Sequence, residues 1–257
     1  MIQIIPIFSG SGGNCTLVKT DATSVLVDMG LGYKLTLSAL KRHNVSPDEI
    51  SAVFVTHEHS DHIYGLGQWS KRHRVNLYAP REICPLLCDK IFCGQVKPVC
   101  DGLEIDGMTI DSYRCSHDAT ACVGYRFGDG KGNYVASVTD TGCTDSRLVD
   151  FLAVCRAVQL ESNHDVEMLK NGPYPYQLKR RILSDFGHLS NEQAATVLKN
   201  LIGSNVKDVI LAHLSEHNNT AEIAFNTAVN MYADNNLIEG KDVFVHVAKP
   251  RDNDIVI

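Results

Sequence analysis

The chain has 257 residues, of which 44% are hydrophobic and 21% charged, with a formal net charge of −6. That length suits one sizeable α/β domain of ordinary soluble composition, and no apolar run approaches the roughly 20 residues of a membrane-spanning helix. The acidity gives no global attraction to nucleic acid or to an anionic membrane, so a polyanionic substrate would have to meet a local basic surface. The opening MIQIIPIFSGSGGNC carries no basic leader, and Pro6 and the Ser/Gly cluster interrupt its apolar run. It reads as a first strand and turn, not as a signal peptide. Nine cysteines without a C-x-x-C pair are then expected to be thiols in a reducing compartment, and no zinc ribbon is indicated.

In chain order, apolar β-rich runs predict strands over residues 3–8, 15–20, 24–28, 52–56 and 75–79. Further strands are expected over 108–113, 123–127, 134–139, 157–161, 206–212 and 243–247. Helical spacing falls at 35–43, 81–92, 191–201 and 220–232. The alternation is that of a layered α/β fold without internal repeat or linker. Asp28, His57, Asp140, Glu161 and His213 all fall at the C-terminal ends of expected strands. In open α/β sheets that edge collects ligands, because loops converge there while the strands stay rigid.

Thr56-His57-Glu58-His59-Ser60-Asp61-His62 is the densest cluster of metal-binding side chains. In an extended segment residues two apart point the same way, so His57 and His59 can grip one ion. Asp61 and His62, at the following turn, can face a second. Imidazole and carboxylate suit zinc and similar divalent ions; the alternative is a polar surface turn with incidental histidines. His117 can complete the first imidazole set and His213 can close the second shell. Asp140 can bridge two cations about 3.5–4 Å apart. Taken singly, each of these three residues could be no more than a capping or surface group.

The H-x-H-x-D-H run, the upstream Asp28 and the later His, Asp and His resemble the five ordered motifs of the metallo-β-lactamase superfamily, over nearly the whole chain. The resemblance implies one domain over residues 1–257, an αββα sandwich of two mixed sheets packed face to face with helices outside and metals at one edge. It also implies that Asp28 orients the metal loop and is not a ligand; from the residues alone, Asp28 could simply end a strand in the turn before Gly30. The β-lactamases carry Cys at the fourth motif, where this chain has Asp140, and Cys143 is expected to have no metal role. The Asp pattern is shared by phosphodiesterases, thioester hydrolases and lactonases.

Two segments narrow the choice. Ser190 and Gln193 fit a capping box, so a helix should begin near Asn191, with His188 at an N-terminus that attracts anions. This resembles the His-Ser-Thr element of the superfamily's tRNA 3′-processing nucleases; a solvated loop histidine is the alternative. Residues 170–181, KNGPYPYQLKRR, interleave basic and aromatic side chains, a mixture suited to phosphate contact and base stacking, or else a Pro-braced loop beside a solvated helix face.

Together GSGGNC, THEHSDH, ESNHD, GPYPYQLKRRILSDFGHLSNEQAA and LAHLSEHN resemble the YycJ/WalJ family from end to end, with GSGG at 10–13 in place of the more usual GSSG. The resemblance implies a cytoplasmic metal-dependent nuclease, a 5′-to-3′ DNA exonuclease without a β-CASP insertion. The expected centre holds two divalent ions, zinc or manganese. His57, His59, His117 and Asp140 bind one; Asp61, His62, Asp140 and His213 bind the other. A hydroxide between them attacks phosphorus, with Asp61 and His188 as the catalytic residues. Lys179, Arg180, Arg181, Asn163, His164 and Ser190 are the expected substrate contacts, with ligation left open for Asn163 and His164. The rival readings are a hydrolase of a thioester, lactone or cyclic phosphodiester, and a non-catalytic signalling scaffold. A complete expected ligand set argues against the scaffold.

Overall fold

The computed structural model describes every residue except Phe92, and Cys93 without its side chain. Six strands form the first sheet, in the order β1 (Gln3–Phe8), β2 (Cys15–Lys19), β3 (Ser24–Val27), β4 (Ile50–Phe54), β5 (Asn76–Ala79) and β6 (Val96–Pro98). Seven strands form the second: β7 (Leu103–Ile105), β8 (Met108–Arg114), β9 (Val123–Gly128), β10 (Tyr134–Val138), β11 (Ala157–Glu161), β12 (Asp208–Ala212) and β13 (Phe244–Val247). They are arranged simply from β13 back to β7. The antiparallel hairpins lie at one side of each sheet, while β3 to β6 and β10 to β13 run parallel.

Strand periodicity explains how both sheets bury both faces. In β4, Ala52 and Phe54 enter the layer between the sheets, whereas Val53 points to the helix-covered side with Val55 beyond it. In β12, Ile210 and Ala212 face the central layer, and Val209 and Leu211 pack under the outer helices. Strands covered on both faces need no polar alternation, so they appear in the sequence as unbroken apolar runs. The central layer is fixed by aromatic contacts: the Phe54 ring lies 5.3 Å from Tyr78 and from Tyr125, and 5.5 Å from Phe127. The buried Tyr125 hydroxyl donates to the Val55 carbonyl at 2.7 Å, which ties the second sheet to the segment entering the histidine run.

The helices are α1 (Tyr33–Arg42), α2 (Ser60–Ile63), α3 (Leu66–Arg72), α4 (Cys84–Cys88), α5 (Ser146–Ala153), α6 (Val166–Asn171), α7 (Tyr176–Ile182), α8 (Asn191–Asn200) and α9 (Ala221–Asp234). The helix expected over 81–92 is instead a 3₁₀ turn, Arg81–Ile83, followed by α4. Pro85 explains the break: it lacks an N–H and fits the first turn of a helix but not its interior. The end expected at Phe92 lies outside the described residues. No helix among the described residues is long and apolar enough to cross a membrane.

The parallel strands deliver their C-terminal ends to one edge. Three residues there turn through left-handed backbone: Asp28 after β3 (φ 60°), Asp140 after β10 (φ 58°) and His213 after β12 (φ 56°). Asp, Asn and His tolerate this region better than other side chains, yet it still carries strain, and such strain concentrates at functional sites.

Candidate metal centre

Seven side chains converge on this edge. His57, His59 and His117 place one ligand atom each within 4.8 Å of one another, and so do Asp61, His62 and His213. Asp140 forms a third such set with His57 and His62, which places it between the two groups. The ring centroids of His57 and His59 are 4.6 Å apart, and those of His57 and His62 are 4.0 Å apart. Asp140 Oδ2 lies 3.4 Å from His62 Nε2, and Asp140 Oδ1 lies 3.9 Å from His117 Nε2.

The protein orients these rings from behind. His62 Nδ1 donates to Asp28 Oδ2 at 2.7 Å, His117 Nδ1 to the Gly187 carbonyl at 3.0 Å, and His213 Nδ1 to Glu161 Oε1 at 2.9 Å. With the proton held on Nδ1, each ring turns the Nε2 lone pair inward, the tautomer that a cation requires. Asp28 also accepts from the Thr56 amide and hydroxyl, both at 2.8 Å, so one buried carboxylate sets both the start and the end of the histidine run. His57 Nε2, Asp140 Oδ2 and His213 Nε2 are buried without a hydrogen-bond partner. Buried polar atoms are rarely left so, and imidazole nitrogens with a carboxylate oxygen are the donor set of a divalent transition metal; the residues fit such ions.

Charge in the cluster is divided. Against the effect of burial, Asp28 and Asp140 hold His62 well above its ordinary value, and Asp140, Asp61 and Glu161 lift His213 to about 10. These two rings would release a proton on binding a cation. Burial pushes the His57 imidazole well below its ordinary value, which keeps it neutral. Burial alone would raise Asp140, but His213, His62, His57 and His117 hold it well below the usual carboxylate range, so it stays an anionic ligand.

Glu161 was legible only as an acid at a strand end, and its place is more specific than that. Fully buried, it accepts from His188 Nδ1 at 2.7 Å and His213 Nδ1 through one oxygen, and from the Thr141 and Leu189 amides through the other. Burial would raise its carboxyl; the charge and hydrogen bond of His188 more than reverse this, down to about 2. His188 is therefore pinned through Nδ1, with Nε2 left for the site, 17% of its side chain exposed. Asn14 was also missed. Its carbonyl accepts from the Gly10 amide while its amide reaches His62 Nε2 at 3.1 Å and Asp61 Oδ2 at 3.4 Å, which ties the glycine loop to the ligands.

Five expected substrate contacts are placed otherwise. Ser190 is buried, and its hydroxyl caps α8 by accepting from the Gln193 amide. Asn163 is buried, with its amide donating to the His213 carbonyl at 2.8 Å. His164 is buried below this loop, and burial lowers it to about 4. None of the three presents its side chain at the surface. At the start of α8 the Ser190, Asn191 and Gln193 amides are all taken. Lys179 donates to the Lys170 carbonyl at 2.7 Å, and Arg181 pairs with Asp118, beside His117. Arg180 alone of that trio stays uncommitted to an acceptor, its guanidinium 5.9 Å from the centre of the Tyr176 ring.

The pattern of the metallo-beta-lactamase superfamily matches residues 9–213, which span every one of these ligands. The exodeoxyribonuclease WalJ of Streptococcus pneumoniae is 37% identical over 94% of this chain and 92% of its own length. The chain belongs to this superfamily and, within it, to the WalJ/YycJ family. The exodeoxyribonuclease YycJ of Bacillus anthracis is 36% identical over 95% of this chain and 94% of its own length. Among solved structures, the metallo-beta-lactamase fold protein YhfI of Bacillus subtilis superposes with a TM-score of 0.74 at 20% identity, covering 100% of this chain and 98% of that one, a likeness of fold. Family membership makes the chain a metal-dependent hydrolase.

Proposed function

We propose that this chain is a 5′-to-3′ DNA exonuclease that works with two divalent ions, zinc or manganese. The observation that carries the reading is the double ligand cluster in a chain related over nearly its full length to exodeoxyribonucleases. His57, His59 and His117 hold one ion; Asp61, His62 and His213 hold the other; Asp140 contributes to both. When bound, such ions supply Lewis acidity and a water of lowered pKa.

The remaining work falls to the chain. Asp61 is the most exposed of the clustered carboxylates, with a quarter of its side chain accessible, and is placed to orient the attacking water at its carboxylate. His188 Nε2 faces the scissile phosphate and delivers a proton to the leaving oxygen. Glu161 keeps His188 in the required tautomer and, through the same oxygen, aligns His213. Hydrolysis of bis(p-nitrophenyl) phosphate set against a panel of thioesters and lactones tests the reaction class. Turnover of the diester alone supports the proposal; turnover of the acyl substrates alone refutes it.

A further inference from the structure

Arg181 is paired in the free protein, but its partner sits at the centre. Asp118 Oδ1 lies 3.4 Å from His117 Nε2, the nitrogen turned toward the ion, and Asp118 Oδ2 accepts from Arg181 Nε. The carboxylate therefore stands between a metal ligand and a guanidinium. The pair is open to solvent, with 51% of the Arg181 side chain and 31% of the Asp118 side chain exposed. Only Nε is engaged, and among the described residues neither terminal nitrogen of Arg181 has an acceptor. Holding α7 in place does not require this pair. The Asp118 amide donates to the Phe186 carbonyl at 3.0 Å and the His188 amide to the Ile182 carbonyl at 3.1 Å. Gly187 packs so closely that a Cβ there would clash with the Arg181 and Ile182 carbonyls. Main-chain contact already fixes the end of the helix to the ligand loop, and a half-exposed ion pair adds little stability.

We propose that Arg181 reads the end of the substrate strand: its free nitrogens receive the terminal phosphate of the nucleotide being released, and Asp118 is the positioning residue that aims it. The inference rests on the nuclease reading above and deepens it. The scissile diester belongs to the ions, and the interposed carboxylate keeps the guanidinium one group farther out. His188, the proton donor to the leaving oxygen, has its ring centre 4.9 Å from that of His117. Arg181, held beside His117, is on this leaving side, where the next phosphate on a 5′-to-3′ path is the terminal one. That group is a monoester with a charge of about −1.5 to −2 at neutral pH, whereas each internal linkage carries a single charge. A planar guanidinium with two free amino groups can take it through parallel hydrogen bonds. One placed arginine can thus tell an end from the interior in a protein whose net charge of −6 gives polyanions no general attraction.

The test compares blunt DNA duplexes bearing a 5′-phosphate or a 5′-hydroxyl, digested by the metal-loaded full chain and read as the ratio of kcat/KM for the two ends. The parent should favour the phosphate, and Arg181→Ala should lower the ratio by about 10- to 100-fold, the range for losing a hydrogen-bonded contact to a charged group. Arg181→Lys, a point charge without the planar fork, should give a ratio between the two. Asp118→Ala should lower the ratio as well, while Asp118→Asn, which retains an oxygen for Nε, should stay within about threefold of the parent. A parent with equal rates on both ends would overturn the proposal, as would a parental ratio in Arg181→Ala. So would an Arg181→Ala variant that loses metal and both activities in equal proportion, which would make the pair a brace of the ligand loop. A parent that releases no nucleotide from either end would refute the nuclease reading itself.

Discussion

Glu161 shows how one buried side chain can serve two functions, since a single oxygen accepts from both His188 and His213. Replacing it with Gln keeps the shape but removes the charge and sets an amide against one of the two rings. Glu161→Gln is therefore expected to lower turnover by roughly 10²–10⁴, the range for disabling an acid–base group, with a smaller loss of metal through His213. His188→Ala should cost as much turnover with metal content intact. Elemental analysis beside kcat separates the two, and a His188→Ala variant with parental turnover would return that residue to a loop histidine. His164 gives a pH prediction. The unfolded chain protonates this ring below its ordinary value of 6.5, whereas in the fold burial delays protonation to about 4. Its depressed value contributes stability that is present above 6.5 and lost as pH falls towards 4. His164→Asn should then show a smaller fall in melting temperature than the parent between about pH 7 and pH 5. An equal fall would assign the acid sensitivity elsewhere. At this scale the candidate ligands were legible because Thr56–His62 packs four of them into one run and the others mark strand ends. Their supports were not: Glu161 meets His213 across 52 residues and Asn14 meets His62 across 48, pairings that no local spacing encodes.

The elements with strong local chemistry were legible, and those made by tertiary contact were not. The capping box of Ser190 and Gln193 located the start of α8 to the residue, and the apolar run of β11 gave both its ends. The short helices α2, α5, α6 and α7 lack the length for a repeating apolar stripe. α5 packs Leu148 and Leu152 into the outer core all the same. Ser190 has a local role that competes with the expected one: its hydroxyl is engaged in capping α8. Ser190→Ala should cost about 1 kcal/mol, the usual value of an N-cap. For a chain of this size that is about 2–4 °C in melting temperature, with KM for DNA unchanged. A raised KM at unaltered stability would restore Ser190 to the substrate surface. Gly30 lies against the ligand loop, where an added Cβ would clash with the Asp61 carbonyl oxygen and the Asn14 amide. Gly30→Ala is thus expected to displace the ligand loop and lose metal as well as stability; full metal content in that variant would show that the loop can yield.

For the whole molecule, the two parallel half-sheets bring five separated strand ends to one edge, where His57 Nε2, Asp140 Oδ2 and His213 Nε2 lie buried without a hydrogen-bond partner. Ions that bind only the folded state stabilise it by mass action, so chelation should lower the melting temperature and readdition of manganese or zinc should restore it. A melting temperature indifferent to metal would deny that these atoms form a binding site. The net charge of −6 means that a polyanion is attracted only locally. The alternation of strands and helices disclosed the layered class, but the strand order β13 to β7 depends on pairings between distant segments and could not be derived from patterning. The most direct test of the account is digestion of 5′-end-labelled DNA, single-stranded and duplex, by the metal-loaded chain. Labelled mononucleotide should be released from the first turnover, faster from a 5′-phosphate than from a 5′-hydroxyl end, and Asp140→Ala should abolish the release. No release with manganese or zinc, or equal release by Asp140→Ala, would contradict it.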